Sequence, residues 1–321
     1  MESLFTWASM PAFINNIIRI STPLVFGALS AVITQKSGVL NMAIESMMLA
    51  SSLTGVLVGG YTQNVWLGLL AGVLASVVIT LILSYCTFSL KVDLYLASIA
   101  MNTGMSGATV FVMYLLTGQK ASTVGHLNSP VLPNIDIPII KDIPVLGEIL
   151  SGHNILTYVA IICTLLMAYV LKKTVLGLRI RSVGENPAAA TSVGIDPIKI
   201  YYLSFAIAGI MAGLGGCFMS MGYVSWFQRD ITAGRGYIGM SATNITGADP
   251  IYTALASVFF GAAQALANRL QLAGYSVDLI SSIPYIATIL ILIISASIKN
   301  IKYAIERKKT KEELQKGLVS E

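Results

Sequence analysis

The chain has 321 residues, of which 55% are hydrophobic and 11% are charged, and its formal net charge is +5. Soluble domains carry about 25% charged residues, so this composition excludes an ordinary soluble domain and indicates a membrane protein. The apolar segments are continuous rather than alternating, which excludes a membrane β-barrel and predicts transmembrane helices. Basic residues flank these segments without interleaved aromatic residues, so the positive charge does not indicate nucleic-acid binding.

Nine apolar segments predict helices, and most of them approach the length of about 20 residues that crosses a hydrocarbon core. In chain order the predicted helices are 17–33, 39–59, 65–90, 94–117, 155–171, 200–222, 236–247, 251–270 and 279–298. Residues 4–16 form either a further partial pass or a helix at the membrane interface. The expected fold is an all-α polytopic membrane protein with about eight to ten transmembrane helices.

Basic residues set the predicted orientation, because Lys and Arg are concentrated on the cytoplasmic side of membrane proteins. Of the 20 Lys and Arg residues, five lie in 172–199 and seven lie from position 299 onward. We therefore expect a cytoplasmic loop at 172–199, an external loop at 118–154 and a cytoplasmic C-terminus. These boundaries give one transmembrane domain over 1–300 and a basic cytoplasmic tail over 301–321.

This orientation requires the short segment 236–247 to cross the membrane as well. At 1.5 Å per residue it forms only about 18 Å of helix, so we predict a half-length broken helix buried among other helices. Segments 38–55 and 234–247 both follow Gly-rich spans and are predicted to run in opposite directions. This pattern is typical of inverted-topology repeats, and the alternative is that small-residue membrane helices resemble one another by composition.

Few polar groups lie within the predicted spans. Glu45 is the one clear candidate for an ionisable residue that could bind and release an ion within the membrane. Glu45 is either part of an ion relay or, as we favour, a structural carboxylate that accepts hydrogen bonds within a broken helix. The candidate residues of a translocation path are Asn41, Glu45, Asn102, Asn244 and Gln264. The alternative for each of the amides is a hydrogen bond between helices.

The sequence lacks a phosphate-binding loop, an H-E-x-x-H motif, a CxxC pair and a nucleophile elbow. We therefore expect no catalytic residue, no metal site and no cofactor bound by this chain. If the protein performs energised work, the energy has to come from an ion gradient or from another subunit.

A short, separately capped helix is predicted within the loop 172–199. Asn186 is a suitable N-cap, Pro187 suits the first helical position, and Gly194 suits the left-handed residue after the end. Asp196 and Pro197 repeat the start signal and open the next span. A helix of about two turns is marginal alone, so it has to pack either into a groove on a partner protein or onto the membrane surface.

Four segments, in the same order along the chain, resemble motifs of ABC-importer permeases of the branched-chain amino acid/ribose/nucleoside superfamily. "SGVLNMAIESMML" (37–49) resembles an early motif of that family, and "LGLRIRSVGENPAAATSVGI" (176–195) resembles its cytoplasmic coupling segment. The block 234–271, which opens with "GRGYI", and the last span "IPYIATILIL" (283–292) also resemble the family. The resemblance covers nearly the whole chain and is nearest to the shorter permease of nucleoside (purine-type) importers.

Some positions depart from the family pattern. Asn41 and Glu45 match the early motif, whereas Ser46 stands where Gly is common. In the third block, polar residues replace the more usual apolar and Gly-Asn-Pro pattern; these are Thr243, Asn244, Thr246 and Asp249.

The resemblance implies a permease subunit in a bacterial cell membrane that works with a separate ATPase, which binds ATP and Mg. It also implies a second permease, usually a different chain, and an extracellular or lipoprotein substrate-binding protein. The residues expected to couple to the ATPase are Arg181, Glu185, Asn186, Pro187, Ala188, Ala189 and Gly194. The expected substrate is a nucleoside; the alternatives are a permease for simple sugars such as ribose and, less favoured, a stand-alone ion-coupled transporter.

Overall fold

A computed structural model describes residues 10–138 and 146–272, together with three separate helical positions, Ile286, Ile289 and Ile293. Eleven α-helices lie within the two described ranges. They are α1 (Met10–Lys36), α2 (Ile44–Thr62), α3 (Val65–Ser84), α4 (Leu94–Thr117), α5 (Leu146–Leu150), α6 (Ile155–Lys173), α7 (Val175–Glu185), α8 (Pro187–Ser192), α9 (Pro197–Cys217), α10 (Arg235–Thr246) and α11 (Pro250–Leu272). Two-residue strands β1 (Asn134–Ile135) and β2 (His153–Asn154) pair antiparallel between α4 and α6.

The predicted all-α membrane fold is confirmed, since six of the described helices are long and apolar enough to cross a membrane. They are α1, α3, α4, α6, α9 and α11, and α3 and α9 are each extended by a π-helical segment, Tyr85–Ser89 and Phe218–Tyr223. The predicted span 94–117 coincides with α4. Most of the predicted span 279–298, and all of the tail 301–321, lie outside the described residues.

Two predicted helix starts are wrong. Helix α1 begins at Met10 rather than at position 17, because the segment 10–16 continues the helix instead of forming a separate element. Helix α2 begins at Ile44 rather than at position 39. Residues 37–43 are not helical, and the Asn41 Oδ1 atom accepts the Ala43 N–H at 2.9 Å, which holds this segment in a turn ahead of the helix.

The loop 172–199 contains one helix more than the sequence predicted. Thr174 caps α7, its hydroxyl oxygen accepting the Gly177 N–H at 3.2 Å. Gly177 lies so close to the Val170 carbonyl oxygen and the Leu171 Cα atom that a side chain would not fit there. This absence of a Cβ atom lets the first turn of α7 pack closely against the end of α6.

The long helices pack in a pattern that relates α1–α2–α3 to α9–α10–α11. At the centre α1 crosses α9, where Gly215 lies against Phe26 and the Pro23 carbonyl. Helix α1 packs against α10 and α11, and in the same way α9 packs against α2 and α3. This is the packing that the predicted inverted repeat requires.

Close contacts between helices depend on small residues. A Cβ atom on Gly68 would lie 2.7 Å from the Gly55 carbonyl oxygen, and one on Gly213 would lie 2.9 Å from the Val73 Cα atom. Hydroxyl groups add hydrogen bonds between helices; Ser52 Oγ donates to the Gly216 carbonyl and Ser76 Oγ to the Gly209 carbonyl, both at 2.7 Å. Packing of this kind stabilises helices where lipid gives no hydrophobic driving force for association.

Helices α2 and α10 begin at the same place and run in opposite directions. Gly236, at the start of α10, lies against Glu45 and close to Gly27 of α1. From there α10 runs towards the end of α1, where the Lys36 amino group donates to the Gly247 carbonyl at 3.0 Å. Helix α2 leaves in the other direction, because it runs antiparallel to α1 and alongside the second half of α9.

Candidate functional site

The carboxylate of Glu45 joins the first turn of α2 to the first turn of α10. The Glu45 side chain is 8% exposed. Its Oε1 atom accepts the Gly234 N–H at 2.8 Å and the Thr232 hydroxyl, and its Oε2 atom accepts the Gly236 N–H at 2.9 Å. The first N–H groups of a helix have no partner within the helix and carry partial positive charge, so a carboxylate stabilises them well.

Two glycines make this contact possible. Gly234 precedes α10 with a φ of 77°, in the left-handed region that favours glycine. A Cβ atom on Gly236 would lie 2.8 Å from the Glu45 backbone nitrogen and 2.9 Å from its Oε2 atom. The "GRGYI" segment therefore has glycines where the backbone has to turn and where it has to approach Glu45.

Asn102 of α4 caps the facing helix. Its Oδ1 atom accepts the Ser46 N–H at 3.0 Å, in the first turn of α2. Its Nδ2 group donates to the Met42 carbonyl at 2.9 Å and to the Tyr237 hydroxyl oxygen at 2.7 Å. Asn102 thus connects α4, the start of α2 and the first turn of α10.

An open cavity of about 400 Å³ lies beside this junction. It is lined by Glu45, Leu49, Asn102, Thr103, Ser106, Asp230, Ala233, Gly234 and Tyr237. The junction is level with Gly27, nine residues before the end of α1, which places it about 14 Å from that end. It therefore lies inside the helix bundle, about one third of the length of the 27-residue α1 from that end.

The cavity offers hydrogen-bonding groups and one aromatic ring. Tyr237 is 42% exposed, and its hydroxyl group keeps its own proton for a ligand because the oxygen accepts from Asn102. The Ser106 hydroxyl donates to the Asp230 Oδ1 atom at 2.7 Å, across the cavity from α4 to the segment before α10. These groups suit an uncharged polar molecule with hydroxyl groups and a flat face.

The backbone before α10 is held in conformations that most residues avoid. Ser225, Asp230 and Ala233 all have positive φ values, 64°, 51° and 45°. Such residues cost about 1–3 kcal/mol each and are concentrated at functional sites. The segment is kept in place by pairing with the loop after α4, where the Arg229 N–H donates to the Ala121 carbonyl at 3.0 Å.

The structure brings together two of the five predicted path residues. Glu45 and Asn102 line the cavity, and Glu45 has the backbone contacts that a structural carboxylate in a broken helix would have. Asn41 is 1% exposed and lies in the turn that precedes α2, so it does not line the cavity. Asn244 and Gln264 do not line the cavity, although Asn244 follows Tyr237 by seven residues and so shares its helix face.

The sequence reasoning missed three polar residues that line the cavity, namely Ser106, Asp230 and Tyr237. Ser106 could have been found from Asn102, because residues four apart lie on one face of a helix. Tyr237 stands in the "GRGYI" motif, which was interpreted only as the start of a helix. Asp230 had no local signal, since its position depends on the backbone turns that follow α9.

The coupling segment has the caps that were predicted for it. The Asn186 Oδ1 atom accepts the Ala189 N–H at 3.0 Å, and Gly194 has a φ of 81°. In the next helix, the Asp196 Oδ1 atom accepts the Ile198 N–H at 3.0 Å. Helix α8 has six residues and ends at Ser192, close to the predicted length of about two turns.

Helix α8 and the residues before it form an exposed knob at the end of the bundle that is predicted to be cytoplasmic. Exposed positions include Glu185, Asn186, Pro187, Ala188, Ala189 and Gly194, whereas Arg181 is half-buried. Ala190 is 3% exposed and anchors the knob, and Val193 is 74% exposed. A short helix with one anchoring face and an exposed apolar residue has the surface that a partner protein could cover.

The six apolar helices define a multi-pass membrane protein, which has a polar cavity beside the junction of α2 and α10. The chain belongs to the family of branched-chain amino acid transport system permease components, whose model matches residues 13–295. It is therefore an ABC transporter permease, a subunit that is not itself an enzyme, since the ATPase of such transporters is a separate subunit.

Several curated proteins resemble the chain over most of its length. The guanosine ABC transporter permease protein NupQ of Bacillus subtilis is 34% identical over 287 residues, which cover 85% of this chain and 88% of the relative. The nucleoside ABC transporter permease protein NupC of Lactococcus lactis is 27% identical, covering 88% and 92%. The putative glucose ABC transporter permease protein TsgC13 of Haloferax volcanii is 25% identical, covering 83% and 79%. No solved structure gives a significant match.

Substituting Glu45 by Gln tests the junction of the two helices. The amide replaces one acceptor oxygen with a donor, so at least one of the three groups that donate to Glu45 is left without a partner. We expect the substitution to destabilise the fold by about 1–3 kcal/mol. The measurement is the midpoint of thermal unfolding of the purified protein in detergent.

Glu148→Gln is the matched control, because Glu148 is exposed on α5. Its unfolding midpoint should equal that of the wild type. If Glu45→Gln unfolds at the same temperature as Glu148→Gln, the carboxylate does not stabilise the junction.

Proposed function

We propose that this permease forms the path for nucleosides in an ATP-driven importer, and that the cavity at the α2–α10 junction is a substrate site on that path. The observation that carries the substrate class is the similarity to the guanosine permease over 85% of this chain. The volume of about 400 Å³ supports it, since small-molecule sites occupy about 300–1,000 Å³.

The chemistry of the cavity suits a nucleoside. The half-exposed ring of Tyr237 offers a face on which a base stacks, an interaction worth about 1–3 kcal/mol. The Asp230 carboxylate and the Ser106 hydroxyl oxygen offer acceptors for the ribose hydroxyls, because the Ser106 proton is already donated to Asp230. Asn244 lies on the same face of α10 as Tyr237 but nearer the end of α1, so it adds a second polar side chain along that face.

A sugar permease is the second candidate, because a carboxylate beside an aromatic ring also suits a sugar. Relatives named for glucose and fructose support this alternative, although the fructose import permease FruF of Bifidobacterium longum aligns with only 37% of this chain. An ion-coupled transporter working alone receives less support. Both carboxylate oxygens of Glu45 accept hydrogen bonds from fixed protein groups, which favours a structural role for it.

The ATPase is proposed to bind the knob formed by α8 and its flanking residues. We also propose that the knob, the loop 172–199 and the C-terminus lie on the cytoplasmic side of a bacterial cell membrane. ATP and Mg are then bound by the ATPase, and this chain binds no cofactor. The loop 118–154 then faces outward, where an extracellular or lipoprotein substrate-binding protein delivers the nucleoside. A second permease, a different chain, completes the path beside the open cavity.

Uptake of labelled guanosine by cells that express the importer tests the substrate. Tyr237→Leu removes the stacking surface, so we expect the concentration for half-maximal uptake to rise about fivefold or more. Tyr237→Phe keeps the ring and should change uptake far less. Tyr252→Leu is the control, because Tyr252 is 64% exposed on α11 and does not line the cavity.

Two results would contradict the proposal. Uptake of ribose or glucose without uptake of guanosine would favour the sugar permease. Uptake that survives ATP depletion and stops when the ion gradient is removed would exclude an ATP-driven importer.

Ala189→Trp tests the binding of the ATPase. Ala189 is exposed on the knob, so an indole ring there should obstruct a partner without disturbing the fold. We expect the amount of ATPase that co-purifies with the permease to fall at least about tenfold, as for loss of a central interface contact. Ala121→Trp makes the same change on an exposed alanine at the opposite end of the bundle, and equal co-purification of both variants would rule out the knob as the docking surface.

A further inference from the structure

Helix α10 extends from the cavity to the end of the bundle that carries the coupling segment. Its first turn contacts Glu45 and carries Tyr237 into the cavity. Its last residue, Thr246, is followed by Gly247, whose carbonyl accepts from Lys36 at 3.0 Å. The 12 residues of α10 cover about 18 Å.

An ion pair fixes the far end of α10 to α6. The Lys172 amino group lies 2.7 Å from the Asp249 Oδ2 atom, and the Asp249 side chain is 22% exposed. Asp249 also caps α11, its Oδ1 atom accepting the Ile251 N–H at 3.1 Å. Burial raises the pKa of Asp249, but the hydrogen bonds from Lys172 and from the α11 N–H groups outweigh burial and hold this pKa below its usual value.

Both ends of α7 contact the residues that hold α10. At its start, Gly177 lies against the Val170 carbonyl and Leu171, directly before Lys172. At its end, Gly184 lies against the Lys36 carbonyl, with no room for a side chain. A displacement of α7 and α8 therefore moves both lysines that bind the α10–α11 turn.

The side of α10 that faces α1 is packed closely along its length, since Ile238 and Ala242 form a buried cluster with Leu24 and Ala28 of α1. A Cβ atom on Gly239 would lie 2.6 Å from the Ala28 backbone nitrogen. The Thr243 hydroxyl donates to the Ala28 carbonyl at 3.1 Å. Because α10 is a single helix from its first turn to Thr246, a displacement of its far end also alters the 2.7 Å contact between Tyr237 and Asn102 at the cavity.

From these contacts we infer that the Lys172–Asp249 ion pair transmits movement of the coupling segment to the cavity through α10. This inference rests on the proposed function, in which the ATPase moves the α7–α8 segment. Lys172 and Asp249 are positioning residues, because they act on the substrate site through α10 and do not contact the substrate.

The test follows the cavity directly and does not depend on the identity of the substrate. A single cysteine replaces Thr103, an exposed residue of the cavity lining, in a chain whose Cys86, Cys163 and Cys217 are changed to alanine. The complete importer is reconstituted in liposomes, and the rate of modification by a water-soluble maleimide is compared with and without ATP plus vanadate. In the importer that keeps Lys172 and Asp249, ATP plus vanadate should change the rate of maleimide modification about fivefold or more.

Lys172→Gln and Asp249→Asn should each abolish the effect of ATP on the rate while the ATPase still co-purifies. Asn keeps the cap on α11, so the second variant should fold normally. The double variant should be no worse than either single one, since both remove the same interaction. Lys172→Arg should keep the effect, and Lys173→Gln, which removes the same charge from the exposed neighbouring residue, should leave it unchanged.

An ATP effect that persists in Lys172→Gln and Asp249→Asn overturns the inference, and so does the absence of any ATP effect with the unaltered pair. Uptake of guanosine by the same liposomes is measured separately. If guanosine is not taken up but the variants still abolish the ATP effect, the nucleoside assignment fails and the ion-pair inference stands.

Discussion

The carboxylate of Glu45 and the side-chain amide of Asn102 allow two helices to begin inside the bundle of a membrane protein. Each helix start leaves N–H groups without a partner in the helix, and no water is present in a hydrocarbon core to bind them. Glu45 accepts from the first turn of α10, and Asn102 accepts from the first turn of α2. These acceptors satisfy N–H groups at the starts of both the 19-residue α2 and the half-length, 12-residue α10.

The cavity follows from this arrangement. Because α2 and α10 leave the junction in opposite directions, no continuous helix fills the space beside their first turns, and α4 borders it only loosely. The groups that cap the helices, together with Tyr237, Ser106 and Asp230, supply the polar lining. The same break gives α10 two ends with different roles, since one end lines the cavity and the other contacts the residues beside the coupling segment.

Much of this architecture was predictable because it depends on local rules. Counting basic residues required a short crossing at 236–247, and α10 occupies Arg235–Thr246. The caps of α8 follow from Asn186, Pro187 and Gly194, whose preferences are local. The start of α2 and the existence of α7 were not predicted, because they depend on contacts between distant parts of the chain, such as Gly177 against the end of α6. Asp230 reaches the cavity through three unfavourable φ values, which tertiary pairing imposes against local preference.

The central claim is that the junction of α2 and α10 lies on the nucleoside path. The most direct test is an experimental structure of the complete importer with guanosine trapped in the permease. The account predicts the nucleoside in the cavity, with its base on the Tyr237 ring and its ribose beside Asp230 and Ser106. A nucleoside bound elsewhere in the permease, with the cavity closed or filled by lipid, would contradict it.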